Sequence, residues 1–177
     1  MTTVFLSLGT NAERRRRFYI EKMVTELACV MEPDIAQSQV METEPLGMAD
    51  GQRWFLNLIV RAGFSGNPTA LLAECNRIEK DLGRIREKPL EARTADIDIL
   101  LFGHALIREE SLIVPHPRLL ARRFCLEGLR QVGPFWKVPG TGFTVSEHCR
   151  RMPQHVRDQR IIFTVGKELG PRQEQMR

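Results

Sequence analysis

The chain lacks most of the motifs that mark common catalytic scaffolds. Its 177 residues include only four cysteines, four histidines, two tryptophans and one tyrosine. Cys29, Cys75, Cys125 and Cys149 are widely spaced and form no Cys-x-x-Cys, so they read as free thiols of a reducing compartment, in the core or half-buried. Four scattered histidines without His-Glu-x-x-His speak against a zinc enzyme. There is no Gly-x-x-x-x-Gly-Lys-Ser/Thr phosphate loop, no Gly-x-Gly-x-x-Gly dinucleotide turn and no Gly-x-Ser-x-Gly elbow. No apolar run is long enough to span a bilayer and no signal-peptide pattern occurs, so a cytoplasmic protein is expected.

What is present is basic and unevenly distributed. Twenty-six Lys and Arg face 22 Asp and Glu, a formal net charge of +4. Arginines cluster near residues 14–17, 84–93, 118–123 and 150–160, an excess that fits phosphate-bearing ligands. Apolar content of 42% is ordinary for a globular protein. The length suits one domain, expected over residues 1–165 with a flexible tail at 166–177.

The stretch from Arg93 to Phe102, Arg-Thr-Ala-Asp-Ile-Asp-Ile-Leu-Leu-Phe, carries the strongest chemical signal. It reads as a strand ended by Gly103. Side chains alternate along a strand, so Asp96 and Asp98 share one face, which Leu100 and Phe102 continue, while Ile97, Ile99 and Leu101 face the other way. Two carboxylates about 6–7 Å apart repel unless a cation lies between them. Hard oxygen ligands suit Mg²⁺. A solvated Asp-x-Asp at a sheet edge is the commoner fate of such a pair, and the neighbouring arginines shift the balance toward phosphoryl-type chemistry.

Around this stretch the chain alternates strands and helices. Val4–Leu8 is a strand, and Gly9-Thr-Asn11 turns it into a helix from about residue 12. Arg14–Arg17 fall in the first turns of that helix, as a solvated basic face. Further strands are expected at Ile35–Glu42 and Phe55–Val60, the latter with a lone Asn57 that needs a partner. Asn67-Pro68 caps a second helix whose apolar positions are Leu71, Cys75, Ile78 and Leu82, and Gly83 ends it in a left-handed cap. A hairpin-like segment follows at Ala105–Val114, then Pro115-His-Pro117, a helix over Arg122–Val132, and a short strand near Ile161–Val165. The order β-α-β-β-α-β predicts an α+β, ferredoxin-like antiparallel sheet with helices packed on one side and a C-terminal extension.

The ordered set Gly9-Thr-Asn11, Thr43-Glu-Pro-Leu-Gly47, Phe55-Leu-Asn57, Gly83-Arg-Ile-Arg86, Arg93-Thr-Ala-Asp-Ile-Asp-Ile-Leu100, Val114-Pro-His116 and Arg122-Arg-Phe124 resembles the 6-hydroxymethyl-7,8-dihydropterin pyrophosphokinase family over residues 4–126. The resemblance implies transfer of pyrophosphate from ATP to the hydroxymethyl group of a reduced pterin, releasing AMP in folate synthesis. It implies that Asp96 and Asp98 hold two Mg²⁺ ions, that Arg84 and Arg93 neutralise the transferring group, and that Arg86 assists from a loop. His116 and Arg122 would contact the ATP phosphates, and Asn76 and Glu79 the nucleotide. Phe55 and Phe124 would sandwich the pterin, with Asn57 and the backbone from Thr43 to Leu46 along its edge. Thr10 replaces the family's usual serine, and Leu90 and Ser111 stand where members carry an aromatic residue and an arginine. ATP and a reduced pterin are then the expected partners, with no nucleic acid and no membrane. Two other readings stand beside it: a diverged paralogue that acts on or binds a related pterin, and a ferredoxin-like RNA-binding module, against which the scarcity of aromatic residues and the lack of an RNP-type motif count.

Overall fold

The computed structural model describes residues 1–46, 53–84 and 93–164. Its elements are β1 (Thr2–Thr10), α1 (Arg16–Ala28), β2 (Ala36–Gln37), β3 (Met41–Thr43), β4 (Phe55–Phe64), α2 (Pro68–Asp81), β5 (Asp96–Phe102), β6 (Ile107–Arg108), β7 (Ile113–Val114), α3 (Arg123–Val132), α4 (Val145–Arg150), α5 (Gln154–Arg157) and β8 (Ile161–Phe163). The main sheet is antiparallel in the order β5-β1-β4-β3-β8, with β2 also on β4. Strands β6 and β7 form the expected separate hairpin. The architecture is the ferredoxin-like α+β sheet with a C-terminal extension.

The central strands β1 and β4 are buried on both faces. Val4, Leu6, Leu8, Leu58, Val60 and Ala62 pack against Ile20, Met23, Val24 and Leu27 of α1 and Leu71, Cys75 and Ile78 of α2. On the opposite face Phe5 and Ile59, joined by Met41, meet Phe124, Cys125, Leu129 and Val132 of α3, Val145 of α4 and Val156 of α5. Helices therefore cover both faces rather than one. The near-continuous apolar run of β1 is what a strand buried on both sides requires. The second layer comes from α3 and from the polar region after residue 142, whose helices α4 and α5 are too short for a periodic pattern. Thr144 and Glu147 mark the start of α4 with a reciprocal capping box.

Strands β1 and β4 run longer than expected, and three further features differ from the sequence expectation. Helix α1 starts at Arg16, because Thr10–Ala12 are held in a turn by contacts to Arg93 and by Ala12 N–H on the Thr10 hydroxyl. Arg15 takes a left-handed conformation (φ 59°) to redirect the chain. Of the arginine run, Arg14, Arg15 and Arg17 are exposed, but Arg16 is ion-paired with Glu42 at 2.8 Å and is no solvated residue. The expected strand at Ile35–Glu42 is split into β2 and β3. Gln37 to Met41 spans one residue more than the facing Val60 to Asn57, and Ser38 spans the break by accepting Ile59 N–H on its hydroxyl at 2.9 Å. In β5 the register slips between Leu6↔Ile99 and Phe5↔Leu101, leaving Leu100 as the extra residue. The slip sends Leu101 to the α3 side with Leu100 and turns Phe102 to the α1/α2 side, the reverse of simple alternation. Asp96 and Asp98 precede the slip and keep their common face.

Helix α2 ends as Gly83 predicts. Gly83 has φ 81°; its N–H donates to Lys80 O at 2.9 Å, and the Arg84 N–H donates to Glu79 O at 3.0 Å, a Schellman pair. A Cβ at Gly83 meets nothing within 4 Å, whereas one at Gly128 of α3 falls 2.2 Å from Ile59 Cγ1. Gly83→Ala is therefore expected to cost about 1 kcal/mol, from backbone conformation alone. Gly128→Ala should cost about 1–3 kcal/mol, from overpacking the α3–β4 contact. Denaturant midpoints of the two variants measure both, and a larger loss in Gly83→Ala than in Gly128→Ala would contradict this separation of causes.

Candidate active site

The end of the sheet where β1 finishes gathers the polar residues. Gly9 lies between Asn57 of β4 and Asp96 of β5, and Ser7 is opposite Asp98. A Cβ at Gly9 would stand 2.8 Å from Asn57 Oδ1, so only glycine leaves space for that carboxamide. Asn57 is buried, and its amide donates to the Thr43 hydroxyl at 2.7 Å. The partner that a buried asparagine needs is thus the side chain of the neighbouring strand β3. Phe55, half-buried, is opposite Thr43, and Leu46 just beyond is exposed.

Cations from three parts of the chain converge on the two aspartates. Asp96 Oδ1 is 2.6 Å from Arg84 and its Oδ2 is 2.9 Å from Arg93. Asp98 Oδ2 is 3.5 Å from Arg122 and 3.8 Å from His116 Nε2. Arg84 is also ion-paired with Glu79. Glu79 is 1% exposed and receives the Ile97 N–H at 2.7 Å on Oε1. Strand β5 is at the sheet edge, so Glu79 occupies an outward N–H that would otherwise be free for another strand. Leu100 O on the same edge accepts the His116 N–H at 3.0 Å. The edge that carries the aspartates is therefore sealed by the groups that bring the cations.

Arg93 is itself held from behind. Its N–H donates to Asn11 Oδ1 at 2.7 Å, and its carbonyl accepts the Thr10 hydroxyl at 3.0 Å and the Asn11 N–H at 3.2 Å. The sequence placed Thr10 and Asn11 in a turn and gave them no part in holding Arg93; the structure buries both in that turn, and the polar Thr-Asn pair after Gly9 was the available signal. Thr94 Oγ1, next in the chain, is buried with no hydrogen-bond partner among the described residues.

His116 follows a cis Val114–Pro115 peptide. Its Nδ1 accepts the Arg118 N–H at 3.1 Å, which places the proton of the neutral ring on Nε2, the atom nearer Asp98. Burial pushes its pKa below 6.5; Asp98 works the other way, and Arg122 and Arg118 add to the lowering. A neutral ring near pH 7 offers Nε2–H as a donor. Arg122 lies 5.8 Å from the centroid of the Phe124 ring, and Phe124 is 8% exposed, within the α3 core. Asn76 is exposed on α2, one turn before Glu79. Arg86 and Leu90 lie outside the described residues.

The four cysteines are unbridged, as expected, but Cys29 is exposed rather than core or half-buried, because it follows the last helical residue of α1, beyond the buried Leu27. Burial pushes the Cys75 and Cys125 thiols up to about 12 and Cys149 up to about 11. These three stay protonated near neutral pH, so none is an activated nucleophile. The arrangement suits a reaction in which fixed cations absorb charge on phosphates.

Residues 5–134 match the family model described as 7,8-dihydro-6-hydroxymethylpterin-pyrophosphokinase. The chain is similar to the 2-amino-4-hydroxy-6-hydroxymethyldihydropteridine pyrophosphokinase of Bacillus subtilis, 41% identical over 131 residues, covering 72% of this chain and 76% of the relative. It is also similar to the folic acid synthesis protein fol1 of Pneumocystis carinii, 34% identical over 155 residues. That match takes in 86% of this chain and spans 20% of the fungal protein. Among solved structures, an HPPK-DHPS of Plasmodium falciparum superimposes with a TM-score of 0.70 at 16% identity, over 85% of this chain and 45% of the other. The chain therefore spans about a fifth and under half, respectively, of these two longer proteins.

Glu79 joins the end of α2 to β5 through one carboxylate. Glu79→Ala should lower stability by about 3 kcal/mol, by leaving a buried guanidinium contact and the Ile97 amide without it. Glu79→Gln keeps an acceptor for that amide and should cost clearly less. Thermal unfolding of the pair checks this, and equal losses would assign the whole effect to the lost charge.

Proposed function

The chain belongs to the 7,8-dihydro-6-hydroxymethylpterin-pyrophosphokinase family, whose reaction is the transfer of pyrophosphate from ATP to 6-hydroxymethyl-7,8-dihydropterin in folate synthesis, and we propose that the carboxylate–arginine cluster at the start of β5 carries it out. The observation behind this assignment is the convergence of Arg84, Arg93, Arg122 and His116 on Asp96 and Asp98, each contact within 3.8 Å. Chemically, the pterin hydroxyl oxygen attacks the β-phosphorus of ATP in line. The new O–P bond forms as the bridge to the α-phosphate breaks, the hydroxyl proton is lost, and AMP leaves. No covalent enzyme intermediate is needed, in keeping with the protonated state of the buried thiols.

Asp96 and Asp98 fit a divalent cation: they are two hard oxygen donors on one strand face, and two residues before Asp96 the buried Thr94 hydroxyl lacks a hydrogen-bond partner among the described residues. No cluster of three or more His, Cys, Asp or Glu surrounds them among the described residues. The remaining positions would fall to phosphate oxygens and water, as Mg²⁺ prefers. Two Mg²⁺ ions held by this pair would neutralise phosphate charge. Arg84 and Arg93 take up the charge that develops as the bridge breaks, with Arg86 assisting. Their pairing with Asp96 keeps both guanidinia at the place where that charge appears. His116 donates Nε2–H to the phosphates and Arg122 adds a fixed charge. Glu79 acts through Arg84, whereas Asn76 contacts the nucleotide directly. On the other side of Gly9, Asn57, oriented by Thr43, hydrogen-bonds the pterin edge together with the backbone through Leu46. Phe55 and Phe124 supply the flat apolar walls.

The decisive experiment mixes the protein with ATP, Mg²⁺ and 6-hydroxymethyl-7,8-dihydropterin and follows AMP. Asp96→Asn and Asp98→Asn are each expected to lower turnover by at least about 10²-fold. Their melting temperatures should stay near that of the parent. Near-normal turnover in both would remove the metal assignment, and absence of AMP from the parent protein at saturating substrates would overturn the reaction itself. Arg93 gives a finer test. Asn11→Ala, which removes the acceptor behind the Arg93 N–H, should lower kcat by about 10²-fold, as expected for misplacing a charge by ~1 Å. Asn11→Asp retains an acceptor there and should recover much of that loss.

A further inference from the structure

Two arginines from outside the substrate strands grip the same short stretch of sheet. Arg16 of α1 donates to Glu42 Oε1 at 2.8 Å and to Trp54 O at 2.9 Å. Arg160, at the entry to β8, donates its N–H to Glu44 Oε1 at 2.9 Å and its Nε–H to Oε2 at 2.7 Å. The guanidinium of Arg160 lies 5.1 Å from the centroid of the Trp54 ring. Glu42 and Glu44 flank Thr43, and Trp54 precedes Phe55, the residue opposite Thr43. Strand β8 continues the grip by pairing Ile161 with Thr43 and Ile162 with Glu42. Arg160 and β8 lie beyond residues 5–134, the part that matches the family model.

The side chain of Arg160 is 69% exposed, and an exposed ion pair contributes little to global stability. Its geometry is nevertheless specific. One carboxylate takes two hydrogen bonds from a single residue, while the same guanidinium covers an indole. Lysine could supply the charge but not this combination. Hydrogen bonds from the Arg160 backbone and then from its side chain hold the Glu44 carboxyl below its ordinary range, so the contact persists across neutral pH. Strand pairing sets the spacing of Thr43 and Phe55; what the contact fixes is the position of Glu44 and Trp54, the first residues beyond that pair.

We propose that Arg160 is a positioning residue for the pterin: from the C-terminal extension it fixes the path of the chain just beyond the paired Thr43 and Phe55 by clamping Glu44 and Trp54. This rests on the assignment of those strands to the pterin. Arg160 hydrogen-bonds Glu44, whereas its neighbour Gln159 donates to Ala121 O at 2.9 Å and accepts the Arg123 N–H at 2.8 Å, on either side of Arg122. Truncating Arg160 alone leaves those Gln159 bonds in place, so the nucleotide side should keep its geometry.

The test is calorimetry of 6-hydroxymethyl-7,8-dihydropterin binding in the presence of Mg²⁺ and a non-hydrolysable ATP analogue, with steady-state kinetics alongside. Arg160→Ala should raise the pterin Kd and KM about five- to tenfold, with kcat and the ATP KM within about twofold, the pattern of lost substrate binding rather than lost transition-state stabilisation. Arg160→Lys should recover part of the affinity. Trp54→Leu should repeat the effect, and the double variant should add little to either single one. Unchanged pterin affinity in Arg160→Ala overturns the clamp, and so does equal weakening of ATP and pterin, which would report general loosening. If Arg160→Ala does not fold, Trp54→Leu decides by the same comparison. Absence of pterin binding by the unaltered protein overturns the pterin site itself together with the clamp, whereas binding that Arg160→Ala leaves intact overturns the clamp alone.

Discussion

Two carboxylates on one face of a short strand repel each other, and much of the molecule is arranged to answer that repulsion. Asp96 and Asp98 sit where β5 begins, half-buried, with four cationic or hydrogen-bonding side chains within 3.8 Å. Each comes from a different local device. Arg84 is delivered by the left-handed end of α2, Arg93 by the turn after β1, Arg122 by the residue that starts α3, and His116 by the segment after the β6–β7 hairpin. None of the four lies on a sheet strand. The sheet supplies the acids and its surroundings supply the bases.

The same contacts finish the fold. Glu79 satisfies the Ile97 amide on the open side of β5, and the backbone of His116 satisfies Leu100 O. An edge strand with unpaired groups invites association with another chain. Here the groups that close the edge also carry or orient the charged residues of the candidate site, so the same contacts serve both. At the other side of the sheet β8 plays the corresponding part for β3, and Arg160 and Arg16 brace the strands proposed to hold the pterin.

The helices occupy both faces of the sheet, and this has a consequence for the site. Phe124 sits in the α3 core with only a small exposed fraction, so any stacking surface it offers is one edge or face of a ring fixed by Cys125, Leu129 and their neighbours. A rigid wall of that kind suits a planar heterocycle, because little conformational freedom is lost on binding.

Asp96 and Asp98 on one face, the α2 helix from Pro68 with its Gly83 stop, the β6–β7 hairpin and the β8 strand were all legible in the chain, because each depends on residues within a few positions of one another. The resemblance that led to the pterin reaction likewise rested on local strings. Other features were not legible. The partner of Asn57 proved to be Thr43, fourteen residues away, and Arg16 proved to be paired with Glu42 rather than solvated. The grip of Thr10 and Asn11 on Arg93 spans more than eighty residues. The slip at Leu100 exchanged the faces of Leu101 and Phe102 because the register of β5 against β1 is set by two cores at once. By itself the sequence determined which side chains carry charge and which short segments are helix, strand or turn, since propensity and periodicity act over neighbouring residues. Only the tertiary structure decided which acid meets which base and which face of the sheet each helix covers, since those depend on distances between segments far apart in the chain.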